Sequence, residues 1–440
     1  MSSVRSVAII GNGPDAWMIA AGLAAGLKGR DCQVTVVPDD QPEPPVLVTL
    51  PALRRFHAMI GLEERDLFRH ARATYHLGTL GDGGFEPFGA LGRKIDGISF
   101  HHHWTHMRCA GDMPPLAEFS IAARAAQEGR FAPPDNDPQS PLAGMDYGYH
   151  LETAGYTQLL KARGLALGVI QSVIPAEAGI QSRAITSTSV PSLDSRVRGN
   201  DDVANTDLII DTISHDAEQW RDWSPHIPTH EVTYSAKNTT TPAPYTVLSK
   251  DRRAVPLQNQ TFESTATDTT EPVGHHRQPW TGNRITMGRA AGSLGPHASA
   301  DLDLSQSALF HLLNLWPSDT GEMPEAAEYN RITRNEWQRA LDFETLRYAD
   351  EADMPETLAH KVRTFRGTAR LVMLDGERAD QTEWVTRLLA RGIVPEHPGA
   401  LASLRDATQL RQKALTLHDA LGRVATSLPT HAEAIEKAKA

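Results

Sequence analysis

The residues near the start of the chain that are best placed to do chemistry are small rather than reactive. In "VAIIGNGPDAWMIAAGLAAGL", Gly11, Gly13 and Ala16 lie between an apolar run at 7–10 and an alanine-rich segment. In a strand–turn–helix unit the first glycine permits a tight turn, and the second lets backbone approach a pyrophosphate. The third small residue lets helix and strand pack closely. The phosphates then meet the unsatisfied N–H groups at the helix N-terminus. An ordinary βα turn has the same outline and is the competing reading. A second unit of this kind follows late in the chain, with a strand expected at 284–287, a glycine/alanine turn at 288–292 and a helix from about Leu302. Backbone can again approach a cofactor there. Asp39, just behind a strand expected at 33–37, is either the carboxylate that holds a ribose or a solvated turn residue.

The run "FHHHWTHM" (His101, His102, His103, Trp104, His106) suggests a metal site. Adjacent side chains of a strand point to opposite faces, so three neighbouring histidines cannot converge on one ion, although His101 and His103 can share a face. No Cys or carboxylate stands at ligand spacing, which favours an aromatic, polar wall or a packed layer over metal binding.

These groups need a frame. A helix is expected over 53–68, a strand over "RATYHLGTL", and an amphipathic helix in "YHLETAGYTQLLKARGLALGV" running into a strand at 167–170. "DLIIDTIS" reads as a further buried strand, and the sequence from Glu325 reads as a charged helical cap. The 440 residues suffice for a large domain with a packed subdomain. A net charge of −11 argues against general nucleic-acid binding. No apolar stretch approaches the ~20 residues of a membrane span, and the opening residues do not read as a signal peptide. Cys32 and Cys109 are the only cysteines, so there is no disulfide framework. Cytoplasm is the expected compartment.

"GNGPDAWMIAAGL", "HHHW", "YHLETAGYTQLL", "DLIID", "WTGNRITMGRAAGSLGP" and "EYNRITRNEWQRALDFETLRYAD" occur together and in this order. The sequence thereby resembles the flavin-dependent tryptophan halogenases, apart from 171–206 and 231–275. The resemblance implies an α/β fold: a Rossmann-like FAD-binding domain of the flavoprotein monooxygenase type with a mostly helical substrate subdomain. The implied division gives 1–55, 145–235 and 276–320 to the FAD side, and 56–144, 236–275 and 321–440 to the substrate side and helical cap. The implied cofactor is FAD, over Gly11, Asn12, Gly13, Pro14, Ala16 and Trp17, with Asp39 near the ribose. Its ring would lie toward Gly288, Ala291, Gly292 and Pro296. The implied partners are a separate NAD(P)H-flavin reductase that supplies reduced FAD and a small aromatic substrate, with no nucleic acid and no membrane.

In that family reduced FAD, oxygen and halide give hypohalous acid, which passes through a tunnel to a lysine assisted by a glutamate. The lysine motif A-T-[FY]-K-L-G reads "ATYHLG" here, so His76 holds the catalytic position. The glutamate motif E-P-L-E-S-T-G reads "GPHASAD", with Ala298 for the glutamate and Ala300 and Asp301 for the threonine and glycine that cradle halide. The segment G-W-x-W-x-I-P is reduced to "DRRAVPLQ", and G-E-A-T-[IL]-P reads "VLVTLP". The aspartate of G-D-A-A-G is Arg289. A neutral imidazole cannot form the chloramine an amine forms, and Asp301 would repel a halide. Backbone-based FAD binding survives these changes better than halogenation does.

"VIPAEAGI" (173–180) and "DSRVRGND" (194–201) admit reverse-complementary codons at seven of eight positions, with Glu177 against Val197 the exception. This reads as a translated inverted-repeat element, and 172–202 is expected to be a disordered surface insert. Three functions compete: a halogenase-like FAD oxidoreductase acting on an indole or other aromatic with weak or no halogenation, a non-catalytic FAD-binding relic, and an FAD monooxygenase without halide chemistry.

Overall fold

The structure is a computed structural model that describes residues 3–172, 206–227, 232–249, 252–266, 272–295 and 298–440. The expected insert, from its second residue on, and Pro296 lie outside the described residues.

The chain begins with β1 (Ser6–Ile10), α1 (Pro14–Gly26) and β2 (Gln33–Val37). β1 pairs in parallel with β2 on one side and with Leu208–Asp211 on the other. The six-stranded sheet runs Trp280–Thr281, Arg284–Thr286, Leu208–Asp211, β1, β2, Ile170–Gln171. Its strands read "VAII", "VTVV" and "LIID" because both faces are covered, which demands continuous apolar runs rather than alternation. α1 is equally apolar all round, and a buried helix has that pattern. A Cβ on its Gly22 would stand 2.3 Å from Leu309 of the helix Asp301–Asn314, so the small residues of α1 permit that close packing.

Three expectations need correction. The helix expected over 53–68 is two helices, Leu53–Ile60 and Glu64–His70, broken where Gly61 adopts φ +70°. "RATYHLGTL" is likewise two short strands, Thr74–His76 and Gly78–Gly81, in different sheets. The expected strand at 167–170 is only Ile170–Gln171.

The histidine run lies not on a strand but on a helix, Phe100–Cys109. His101, His103 and His106 each direct Nε2 at a carbonyl, of Ala369, Ile95 and Arg405, at 3.1, 3.2 and 2.9 Å. They tie this helix to its surroundings as N–H donors. Among the described residues no group of three or more His, Cys, Asp or Glu is placed to hold a metal. The described residues also contain no helix long and apolar enough to cross a membrane.

A second six-stranded sheet runs from Val232–Asn238, which crosses the expected boundary at 235/236, to Gly84–Pro87. A three-stranded sheet sets Gly148–Glu152 between Val46–Val48 and Thr74–His76. From Glu325 the chain is helical, starting with the long helix Glu325–Tyr348. Gln381–Ala390 opens with a capping box in which Asp380 and Glu383 satisfy each other's backbone N–H groups.

Candidate functional site

The glycine turn is built as its spacing requires. Gly11 has φ +139°, and a Cβ there would stand 2.2 Å from Thr212 Oγ1. Its N–H donates to Val37 O at 3.0 Å, closing the turn onto β2. Gly13 caps α1, with Pro14 as the first helical residue. Trp17 is fully buried and does not face the cleft; its Nε1 donates to Asn12 Oδ1 at 3.0 Å. Asn12 in turn donates to Asp40 Oδ1 at 2.7 Å. Trp17 therefore holds Asn12 in place from below. Above the turn is a cavity of about 230 Å³ bordered by Gly11, Asn12, Gly13, Ala16, Asp39, Thr212, His215 and Trp220.

A second cavity, of about 360 Å³, lies on the other side of α1's first turn. It is bordered by Pro14, Val46, Leu47, Val48, Arg253, Gly295, Ala298, Ser299 and Asp301. The two cavities share Asp15, Glu43, Arg289 and Ser293 as their common wall. Glu43 and Arg289 form an ion pair at 3.1 Å, and Arg289 also donates to Pro42 O at 3.0 Å. Glu43 Oε1 lies 2.2 Å from where a Cβ on Gly13 would be, so its carboxylate rests on the backbone of the glycine turn. Burial pushes the Glu43 carboxyl up to about 7 against the pull of Arg289. Burial also raises Asp15, and lifts Asp301 to about 7.

The late glycine turn acts differently from expectation. Gly288 packs on the Asp15 side chain, and a Cβ on Gly292 would stand 2.7 Å from the Trp337 ring. Ala291 is buried, and its carbonyl accepts from His276 N at 2.7 Å. None of the three borders either cavity. Their neighbours Arg289 and Ser293 do.

His76 faces a third cavity of only about 70 Å³, bordered also by Phe88, Leu248, Ser299, Ala300 and Phe343. Its ring is fully buried, 4.5 Å from the His150 ring and edge-on to Phe88 at 4.9 Å. Nδ1 lies 3.3 Å from Thr49 O, while Nε2 is buried without a partner. Burial lowers its pKa to about 4, so the imidazole is neutral. The wall also carries a cluster of charged side chains. Glu86 accepts from Arg347 at 3.1 Å and from Arg387 at 2.9 Å, and Arg387 also holds Glu344 at 3.0 Å. Although burial opposes it, the two guanidiniums hold the Glu86 carboxyl below its ordinary range. Arg378 is paired with Asp303 at 2.9 Å.

With this geometry in view, the comparisons are decisive. The profile described as tryptophan halogenase matches residues 6–263 and 252–407. The chain belongs to the tryptophan halogenase family. It is similar in structure to BrvH, a flavin-dependent halogenase from Brevundimonas sp. BAL3, at 25% identity and TM-score 0.85, covering 99% of each chain. A flavin-dependent halogenase from Xanthomonas campestris has 24% identity and TM-score 0.84, with 99% of this chain and 98% of that one covered. The tryptophan 6-halogenase SttH from Streptomyces toxytricini has 17% identity and TM-score 0.79, with 99% and 100% covered.

Membership of this halogenase family implies a flavin, and the cleft fits one on its own evidence. Gly11 and Gly13 leave no room for a Cβ, and two cavities meet at the helix N-terminus, a space whose shape fits a dinucleotide. Glu43 lies across the middle, with its carboxylate on Gly13. Of the residues singled out in the sequence, Gly11, Asn12, Gly13, Ala16 and Asp39 border the 230 Å³ cavity. Glu43, Thr212 and Trp220 also border the cavities without being singled out: Glu43 and Thr212 come from loops and Trp220 from the short strand Trp220–Asp222, none with a motif of its own. Asp301 was read as a negative charge in the halide position. It borders the 360 Å³ cavity, where its carboxylate accepts from Leu294 N at 3.2 Å. With its pKa near 7 it is partly neutral at physiological pH, which weakens the expected repulsion.

Proposed function

We propose that the chain is an FAD-binding, halogenase-fold oxidoreductase in which halogenation by the lysine route is weak or lost. The observation that carries this is the His76 cavity. The described residues of its wall include no lysine, its histidine is neutral, and its volume of about 70 Å³ is below the ~300 Å³ at which small-molecule pockets begin. Ala298 cannot supply a carboxylate. On the flavin side, FAD would lie with its pyrophosphate over Gly11–Ala16 and Asp39 toward the adenosine end. The bound flavin would supply redox chemistry with oxygen. Gly11 and Gly13 would admit the diphosphate, Arg289 would offset its charge, and the buried Val46–Val48 strand would exclude water from the ring side. Flavin-dependent halogenases need a separate flavin reductase, and we assign one to this chain as well.

A cavity of about 430 Å³ bordered by Phe85, Trp104, Leu116, Tyr245 and Leu389 supports an aromatic substrate class. Its size and apolar, aromatic wall suit an indole-sized ring better than the space at His76 does. The test is FAD titration of the purified protein, read by its visible spectrum. Product analysis with reduced FAD, oxygen, bromide and tryptophan follows. Bound flavin with no halotryptophan is the expected result. Absence of flavin binding up to high micromolar would reduce the cleft to shared ancestry, and halotryptophan in quantity would overturn the loss of halogenation.

A further inference from the structure

A cavity of about 240 Å³ lies beside the 430 Å³ aromatic one, and the two share Gly83 and Ala390 on their walls. The turn at Gly83 sits on the end of the helix Gln381–Ala390, where a Cβ on Gly83 would stand 1.5 Å from Ala390 O. The larger space is lined mostly by rings and aliphatic chains, while the smaller one carries Arg347, Arg387 and Arg391. Two of these arginines are neutralised. Arg347 forks onto Glu86 at 3.1 and 3.2 Å, and Arg387 holds Glu86 at 2.9 Å and Glu344 at 3.0 Å. Arg391 is not. Its Nη2 donates to Ala349 O at 3.1 Å, its Nε is buried with no partner, and among the described residues it makes no ion pair. Asp82, the other carboxylate on this wall, is exposed and outside ion-pair distance of Arg391. The uncompensated charge beside the aromatic space is therefore positive.

We propose that the two cavities together take an aromatic carboxylic acid without an α-ammonium group, its ring in the 430 Å³ space and its carboxylate on Arg391. This rests on the reading above that an aromatic ring occupies the larger space, and it adds the group that fixes the ring's orientation. Phe85, Trp104 and Tyr245 offer ring faces and edges. A carboxylate accepts the Arg391 N–H groups that Ala349 leaves over, through charge-assisted bonds that the planar guanidinium presents as a fork. Leu389 on the aromatic wall and Arg391 on the charged one are two residues apart, so ring and carboxylate need only a short connecting chain. Tryptophan fits less well, because its ammonium would enter a space whose free charge has the same sign.

The test is calorimetric titration of the full chain, with FAD added to fill the dinucleotide cleft, against indole-3-propionate, its uncharged amide and tryptophan. The acid is expected to bind about 10-fold or more tighter than the amide, as for a hydrogen bond to a charged group, and tighter than tryptophan. R391M is expected to bind acid and amide alike with the amide's affinity unchanged, while R391K keeps part of the preference. If Arg391 were only a tie to the Ala349 carbonyl, R391M would lower Tm and leave the ratio of acid to amide where it was, which overturns the proposal. Equal wild-type affinity for acid and amide overturns it as well, and so does tryptophan bound as tightly as the acid. L389W, which fills the larger cavity, separates the proposal from the reading it rests on. Amide binding that L389W abolishes, with no preference for the acid, sinks only the carboxylate site. An acid preference that needs Arg391 but survives L389W sinks the ring assignment, and no binding of either ligand at millimolar concentration sinks both.

Discussion

The glycine turn and the His76 cavity sit in one family fold, yet one is built from backbone and the other from side chains. At the turn, the chemistry resides in backbone: Gly11 at φ +139°, Gly13 at the head of α1, and amides that need only the absence of side chains. Such a site persists while the strand and helix pack, because the same contacts hold the fold. At His76 the lysine route that the resemblance implies would need a particular amine and a particular carboxylate, which the fold itself does not need. A neutral histidine and a set of closed ion pairs fill the space without disturbing the three-stranded sheet around it. Backbone-borne function is thus tied to stability, and side-chain-borne function is not.

The largest expected effect breaks that comparison if it fails. With reduced FAD, oxygen, bromide and tryptophan, turnover should fall roughly 10²–10⁴-fold or more below a lysine-bearing relative, as for loss of a catalytic acid–base group. Liquid chromatography with mass detection checks this. The double variant His76→Lys, Ala298→Glu should not restore it, because Ala300 and Asp301 would still stand where the resemblance implies a halide cradle, and "DRRAVPLQ" lacks both implied tryptophans. Turnover restored by these two changes would show that the cavity had kept its function in all but two residues.

What the sequence disclosed follows the same division. Continuous apolar runs and small-residue spacing announced the parallel sheet, α1 and the wall residues Gly11–Ala16, because local pattern and tertiary packing demand the same residues there. The histidine run was misread as strand, since "FHHHWTHM" lacks a clear period and its helix is set by contacts to Ala369 and Arg405, both distant in sequence. Glu43 and Arg391 carried no local signal. Their importance comes from where a loop and a helix end bring them, and only the folded chain shows that.

The next effect concerns acid stability. Burial lowers His57 to about 3 and His76, His101, His275 and His431 to about 4, and it lowers His150 as well. These groups are neutral in the folded chain and protonate in the unfolded one below its ordinary value near 6.5. The stability they contribute is present above that value and is lost as pH falls toward 4. Each loses up to about 1.4 kcal/mol per pH unit within this window. Carboxyls held near 7, Glu43, Asp301 and Glu383, act in the opposite sense, but the buried histidines outnumber them. Tm should therefore drop steeply between pH 6 and 5. A flat or rising Tm over that interval would mean that the histidines are not buried neutral.

A smaller effect sharpens the backbone half of the comparison. Gly13→Val puts branched carbon where Glu43 or a diphosphate must lie, and FAD affinity should fall about 100-fold or more, near 2.7 kcal/mol. Gly13 has ordinary negative φ, so the fold itself tolerates the change. Circular dichroism should stay native-like while equilibrium dialysis shows the loss. Unchanged affinity would mean that the diphosphate does not approach this turn.

The smallest effect separates the turn from the acid that lies on it. Glu43 occupies the backbone surface of Gly13 and holds Arg289, so a diphosphate entering here would displace a carboxylate and break an ion pair. Glu43→Gln removes the charge and keeps the length, and FAD and ADP should each bind about 10-fold tighter, near 1.4 kcal/mol. The wild-type affinity should also depend on pH. Glu43 is held near 7, so protonation below 7 weakens its hold on Arg289 and ends its repulsion of phosphate; affinity should rise from pH 8 to pH 6. The other groups facing this point are Asp15 from α1, Asp39 from the same loop, His215 from the loop after Leu208–Asp211, Asp301 from the helix start, and Arg289 itself. Asp15 and Asp301, both raised by burial, would shift affinity in the same direction. The pH dependence of Glu43→Gln relative to wild type isolates the share belonging to Glu43. A variant that binds no tighter and keeps the full wild-type slope would place the slope on Asp15 or Asp301, and would leave Glu43 as a bystander on a turn that admits phosphate unopposed.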